Sequence, residues 1–324
     1  MKKIKIFCTL GPSSLNKKFL KFAQKEGIDL VRLNMSHLSI TKLKKNINFI
    51  KKNSNLEICI DTEGAQIRTK TNKRIYVKKN QKIQIHKNIK IHFYPNDIFD
   101  QLKINDKLEI GFDGLILKII KRERNHLISK CIQPGSLEKN KGVHLSNRKI
   151  KIKYLTKKDF KAIELGKLYK IRHYALSFTN SIDDIKKFSK LLPSERKIYK
   201  IETSTALKNF NSLKKIANNF LIDRGDLSKE ISIEQIPVAQ RQLFKIKKKY
   251  NNIFIATNLL ESMISKPYPT RAEANDIFNS VEMGAAGLVL AAETAIGKYP
   301  EKCILFLKKI IHQFNKNKKS IFKK

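Results

Sequence analysis

Residues 3–62, KIKIFCTLGPSSLNKKFLKFAQKEGIDLVRLNMSHLSITKLKKNINFIKKNSNLEICIDT, decide the fold. Short apolar runs at 3–9, 30–35 and 57–62 read as strands. Between them, 17–25 sets Phe19, Leu20, Phe22 and Ala23 on one helical face, and 40–50 repeats the helical spacing. Strand, helix, strand, helix, strand predicts parallel strands joined by right-handed crossovers.

Outward from this stretch the pattern changes. From about 70 to 145 the chain shows period-two segments at 74–77, 82–86, 89–93, 108–119 and 126–132, with almost no helical spacing, which predicts an inserted all-β domain. After Thr156 the alternation returns. Strands are expected at 173–178, 197–201, 220–223, 253–257 and 288–292, with helices including 204–218, 233–248 and 270–283. Three strands before the insertion and five after it give the count of an α/β (β/α)8 TIM barrel. A doubly wound open sheet shares this periodicity, but no G-x-G-x-x-G follows the first strand. The expected division is a barrel from 1–69 and 146–324 with a β-rich insertion at 70–145. A final helix at 300–314 runs into a tail holding Lys316, Lys318, Lys319, Lys323 and Lys324, read as a solvated end.

The 324 residues carry 68 Lys and Arg against 28 Asp and Glu, a net charge of +40. Such a surplus attracts any anion. It is mostly lysine spread over solvated faces; a nucleic-acid surface would want clustered Arg with interleaved aromatics, and there is no Trp. Cys8, Cys59, Cys131 and Cys303 form no CxxC pair, so buried reduced thiols and a cytoplasmic setting are expected. Met1-Lys2-Lys3-Ile4-Lys5 runs straight into a strand without the apolar stretch of a signal peptide, and no apolar run approaches the ~20 residues of a membrane span. The seven histidines show no metal-ligand spacing, and there is neither a Walker A loop nor a G-x-S-x-G.

A barrel of this kind carries its chemistry at the C-terminal ends of its strands. After strand two, alternation puts Arg32, Asn34 and Ser36 on one side, as an ion-binding rim or a polar turn. After strand three, Asp61 and Thr62 suit a hard cation and Arg68 a phosphate, though Asp-Thr-x-Gly is also ordinary turn chemistry. Lys200 and Glu202 share one face after strand five, and Arg224-Gly225-Asp226 follows strand six. Glu202 and Asp226 together suit one Mg2+ with Lys200 beside it; the alternative is a pair of structural ion bridges. Thr257 ends strand seven, facing the site or capping a helix. Glu293 reads as an anchor for neighbouring strand ends.

Together these segments resemble pyruvate kinase along nearly the whole chain. The resemblance is carried by KIFCTLGPSS (5–14), GIDLVRLNMSH (27–37), DTEGAQIRT (61–69), FDGLI (112–116), KGVHL (141–145), LTKKD (155–159), ALSF (175–178), KIET (200–203), RGDL (224–227), IATNLLESM (255–263), PTRAEANDI (269–277) and ETAIGKYP (293–300). It implies a barrel with a lid domain inserted after strand three, and phosphoryl transfer from phosphoenolpyruvate to ADP. Arg32 would hold the phosphate of phosphoenolpyruvate, and Glu202 and Asp226 would bind Mg2+ (or Mn2+). Lys200 would stabilise the phosphoryl group in flight. The amides of Gly225 and Asp226 would take the substrate carboxylate, and Thr257 would help protonate the enolate. Asn34, Ser36, Asp61 and Thr62 would form a K+ site. Asn34, Ser36, His37, Arg68 and Lys141 would serve the nucleotide, and Asp113 would be the acidic residue of the lid.

The sequence departs from the family pattern in ways that bear on this. Glu63 replaces a Lys, Ala65 a Pro, Gln66 a Glu and Lys70 a Gly. Gln66 is neither the Glu that goes with K+ dependence nor the Lys that goes with independence. Asp223 replaces the Ala of ARGDLG and adds a carboxylate near the metal, and Ser228 replaces its last Gly. Thr179 and Asn180 replace the end of SFVR; His144 and Ser146 stand in GVNLP. The sequence stops after the eighth helix, so the expectation is a chain without the C-terminal allosteric domain and without sugar-phosphate activation, leaving the barrel for homo-oligomer contacts. Two other readings share the carboxylate pair: a catalytically degenerate homologue that binds a phosphometabolite or partner, and a Mg2+-dependent 2-oxo acid C–C lyase that would not need Lys141.

Overall fold

A computed structural model of the chain describes residues 3–111, 114–148 and 150–316. Asp113 and the tail lysines beyond Lys316 lie outside them. The fold opens with β1 (Lys5–Thr9), α1 (Lys17–Lys25), β2 (Leu30–Asn34), α2 (Ile40–Asn53) and β3 (Ile58–Asp61). Asn16 and Ser39 start the two helices by accepting hydrogen bonds from the Phe19 and Lys42 amides.

Among the described residues nine strands come next: β4 (Ile67–Lys70), β5 (Ile75–Val77), β6 (Lys82–His86), β7 (His92–Tyr94), β8 (Lys107–Ile110), β9 (Leu115–Arg122), β10 (His126–Gln133), β11 (Gly135–Leu137) and β12 (Gly142–Leu145). They belong to a second compact unit, Gly64–Thr156. Seven of them close into a small barrel in the order β10-β6-β7-β4-β12-β8-β9, and β11 pairs with β5. Its core is aliphatic and aromatic, with Ile83, Ile85, Phe93, Leu108, Leu117 and Leu127 buried together.

The main unit resumes with α3 (Lys157–Leu168), β13 (His173–Leu176), α4 (Ile182–Leu191), β14 (Arg196–Ile201), α5 (Ser204–Ile216), β15 (Asn219–Asp223), α6 (Arg224–Leu227), α7 (Ile236–Ile246), β16 (Asn252–Ala256), α8 (Arg271–Glu282), β17 (Gly287–Leu290), α9 (Ala292–Ala295) and α10 (Pro300–Lys316). Its eight parallel strands follow chain order around a closed barrel, and β17 hydrogen-bonds β1 in the register Lys5↔Gly287 to Cys8↔Leu290. Closure rules out the open doubly wound sheet. Every strand sends a side chain inward: Phe7, Leu30, Cys59, Ala175, Ile198, Leu221, Phe254 and Val289 form one buried cluster, with Phe7 stacked on Phe254 at 4.9 Å.

Two boundaries differ from the sequence reading. The β-rich unit starts at Gly64 and runs to Thr156, not 70–145, because β4 pairs with β7 and β12 and so takes Arg68 with it. The expected strand 108–119 is two strands, β8 and β9, with Gly111 and Gly114 between them at positive φ. All four cysteines are free and buried. No helix among the described residues is long and apolar enough to cross a membrane.

His173 at the start of β13 carries a pH dependence. Burial pushes its imidazole down to about 4 from 6.5, opposed by Glu57 and assisted by Arg196, Lys5 and Arg172. Between these values the unfolded chain binds the extra proton, so this contribution to stability is complete above pH 6.5 and falls away toward pH 4, by about 2 kcal/mol after allowing for its partial exposure. In His173→Gln the urea-unfolding free energy should lose that slope, and the wild-type advantage should shrink steadily on acidification. An unchanged difference across the range would remove His173 from the account.

Candidate active site

The alternation that packs the barrel also builds the site. Two residues beyond the apolar layer, toward the C-terminal ends of the strands, the inward positions turn polar: Thr9 after Phe7, Arg32 after Leu30, Asp61 after Cys59, Ser177 after Ala175, Lys200 after Ile198 and Asp223 after Leu221. All six are buried.

They form a continuous chain of contacts. Arg32 Nε donates to Thr9 Oγ1 at 3.0 Å, and Arg32 lies 3.2 Å from Asp61 Oδ2. Ser177 Oγ donates to Thr62 O at 2.8 Å and lies 3.3 Å from Asp61 Oδ1, and Lys200 Nζ donates to Ser177 Oγ at 3.2 Å. Lys200 Nζ also lies 2.6 Å from Glu202 Oε1, 3.2 Å from Asp223 Oδ2 and 3.6 Å from Asp61 Oδ2. Burial disfavours charge on Lys200, yet Asp61, Glu202 and Asp223 outweigh it and hold the ammonium protonated well above the ordinary range. Arg32 is kept charged in the same way, by Asp61 and Asp223.

Glu202, one position past β14, is wholly buried and accepts the Phe178 amide at Oε2, 2.6 Å away. Its Oε1 meets Lys200 Nζ but accepts no aligned hydrogen bond. Burial pushes the Glu202 carboxyl up to about 8; Lys200 pulls against this, and Asp223 and Asp226 reinforce it. Asp226, on α6, completes a group in which Glu202, Asp223 and Asp226 each present an oxygen within 4.8 Å of the others. Three carboxyl groups this close suit a hard divalent cation, which would supply further positive charge. The donor set fits such an ion.

Backbone geometry tightens the rim. Phe178 and Thr257 sit at φ 54° and 69°, a region that non-glycine residues rarely adopt. Thr257 is held there from two sides. Its Oγ1 accepts the Gly225 amide at 2.8 Å, and its carbonyl accepts Arg224 Nη2 at 2.7 Å. Arg224 is itself fixed by Asp276, to whose two carboxylate oxygens its Nη1 donates at 2.8 and 2.7 Å. Strain of this kind persists where the surroundings over-determine it.

The remaining sequence candidates divide between the units. Asn34 is in register with Asp61, Asn34 Oδ1 accepts the Ser36 amide, and Thr62 Oγ1 accepts the Ser177 amide, so the residues proposed for K+ lie at the ends of β2 and β3. His37 is exposed in the following turn. Arg68 and Lys141 belong to the β-rich unit, where Arg68 Nη1 donates to Asn140 O and Lys141 lies 3.5 Å from Glu138. Glu63 is buried against Lys158 at 2.8 Å, which in turn donates to Met35 O. Glu293 accepts the Leu260 and Ala291 amides, the anchoring role expected of it. Thr9 and Ser177 were missed as site residues. Their signal was available: each lies two residues past an inward apolar position.

An eight-stranded parallel barrel with its charged groups collected at the C-terminal ends of the strands has the layout of a (β/α)8-barrel enzyme. The family model described as "Pyruvate kinase, barrel domain" matches residues 1–304. The chain is 30% identical to a pyruvate kinase of Thermotoga maritima over 98% of its own length and 72% of that protein's. It is 34% identical to one of Methanocaldococcus jannaschii over 96% and 69%. It is 28% identical to the plastidial pyruvate kinase 2 of Arabidopsis thaliana over 93% and 55%. The chain belongs to the pyruvate kinase family and is a kinase of that class.

Proposed function

We propose that the barrel transfers the phosphoryl group of phosphoenolpyruvate to ADP, giving pyruvate and ATP, with Lys200 and Arg32 as its fixed positive charges. The observation that carries this is the Lys200 ammonium, buried among Asp61, Glu202 and Asp223 at 2.6 to 3.6 Å. A loose phosphoryl-transfer transition state needs charge in place before the reaction starts. Arg32, braced by Thr9 and Asp61, is positioned to grip a phosphate without rearranging. Glu202 and Asp226 would hold Mg2+ or Mn2+, which when bound neutralises phosphate and enolate oxygens.

Thr257 has its hydroxyl against the Gly225 amide, so it can relay a proton only at an atom within reach of the end of α6. For the Gly225 amide to receive the substrate carboxylate, it must exchange Thr257 Oγ1 for that ligand. Asn34, Ser36, Asp61 and Thr62 supply oxygens for K+, with Gln66 leaving the family's rule for K+ open. In the β-rich unit, which we equate with the family's lid domain, Arg68 and Lys141 are phosphate-binding candidates; in the barrel, Asn34, Ser36 and His37 are.

The purified protein should form pyruvate from phosphoenolpyruvate and ADP with Mg2+ in an assay coupled to lactate dehydrogenase, run with and without K+. Protein that binds a divalent ion and phosphoenolpyruvate but turns nothing over would replace this reading with that of a non-catalytic binding homologue.

A further inference from the structure

In the mechanism above Asp223 serves only as a neighbour of Lys200. Where the family pattern carries alanine, this chain carries a carboxylate, and the strand directs it. Leu221 faces the barrel interior, so Asp223, two residues on, faces the same way at the end of β15. It immediately precedes α6, where an aspartate would ordinarily cap the helix, yet its side chain makes no capping hydrogen bond. Instead it is buried, lies 3.2 Å from Lys200 Nζ and engages the Thr257 side chain. One of its oxygens lies within 4.8 Å of an oxygen from each of Glu202 and Asp226. The nearby ammonium of Lys200 is shared with Asp61 and Glu202, so the three clustered carboxylates outnumber it.

Mg2+ sites of phosphoryl-transfer enzymes commonly use one or two carboxylates and leave the rest of the charge to substrate phosphate. This cluster has its third negative group built in. We propose that Asp223 is a third carboxylate of the divalent-cation site, so that this protein holds Mg2+ or Mn2+ more tightly before any phosphorylated substrate arrives than Glu202 and Asp226 alone would. The inference rests on the metal-dependent reading of the site, but its test does not use turnover.

Mn2+ is titrated into the full-length protein without substrate, and free ion is followed by electron paramagnetic resonance. Wild type should bind Mn2+ in the absence of phosphoenolpyruvate, and Asp223→Asn should weaken that binding about tenfold or more. The same loss should appear in a Lys200→Met background, because a carboxylate that serves the ion acts on it whether or not Lys200 is charged. An affinity within twofold of wild type, or a loss that vanishes once Lys200 is methionine, would reduce Asp223 to a partner of that lysine and overturn the proposal. Wild-type protein that takes up no Mn2+ until phosphoenolpyruvate is added overturns it without any variant, which covers the case of Asp223→Asn failing to fold. Substrate-free Mn2+ binding without turnover defeats the kinase reading alone; turnover without substrate-free binding defeats this inference alone.

Discussion

Lys200→Met should lower kcat by on the order of a thousandfold, while the protein still binds a divalent ion at least as tightly as wild type. The methionine fills nearly the same volume and removes one positive charge. In the ground state the ammonium balances Asp61, Glu202 and Asp223. Its removal therefore strengthens the attraction of those carboxylates for a cation, and metal affinity should not fall. In the transition state the same charge is wanted on the phosphoryl group in flight, so its loss appears in kcat more than in substrate KM. Mn2+ titration of the variant separates these effects. A variant with near-normal kcat would show that Lys200 is a structural partner of the carboxylates, and the proposed chemistry would fail with it.

The second large effect is on stability. Asp61→Asn should destabilise the protein by about 3 kcal/mol or more, since it removes one partner from a buried charge network. Asp61 is fully buried and faces both Arg32 at 3.2 Å and Lys200 at 3.6 Å. The amide leaves two buried cations with fewer anions and turns its own donors toward them. The exposed pair Lys187–Asp183, at 2.6 Å, is the control: Asp183→Asn should change stability by less than about 0.5 kcal/mol, because water already screens that pair. Calorimetric melting of the two variants side by side tests the contrast. Equal, small shifts would mean that the rim is solvated far more than its burial implies.

Much of this was legible in the chain because one period governs both packing and chemistry. Short apolar runs set the barrel strands, and alternation grouped Arg32 with Asn34 and Ser36, and Lys200 with Glu202. What the sequence hid was held by contacts that no period encodes. Arg224 reads as a companion of Asp226, but it serves instead as the clamp on Thr257, through Asp276 in α8, 52 residues away. Glu63 reads as a charge reversal close to a cation site, yet Lys158 sits against it and cancels the change locally. The extent of the β-rich unit was misjudged for a related reason. Ile67–Lys70 is as short as a barrel strand, and only its partners in β7 and β12 reveal which sheet it joins.

The seam where β17 meets β1 has a bearing on how the chain is made. Cys8 finds its neighbour Leu290 only after almost everything between them has been synthesised. Until then β1 keeps one edge bare, along an apolar ribbon that invites pairing with foreign strands. A ring zipped last from its two most distant members assembles slowly. Shielding that edge on the nascent chain should therefore raise the yield of folded protein.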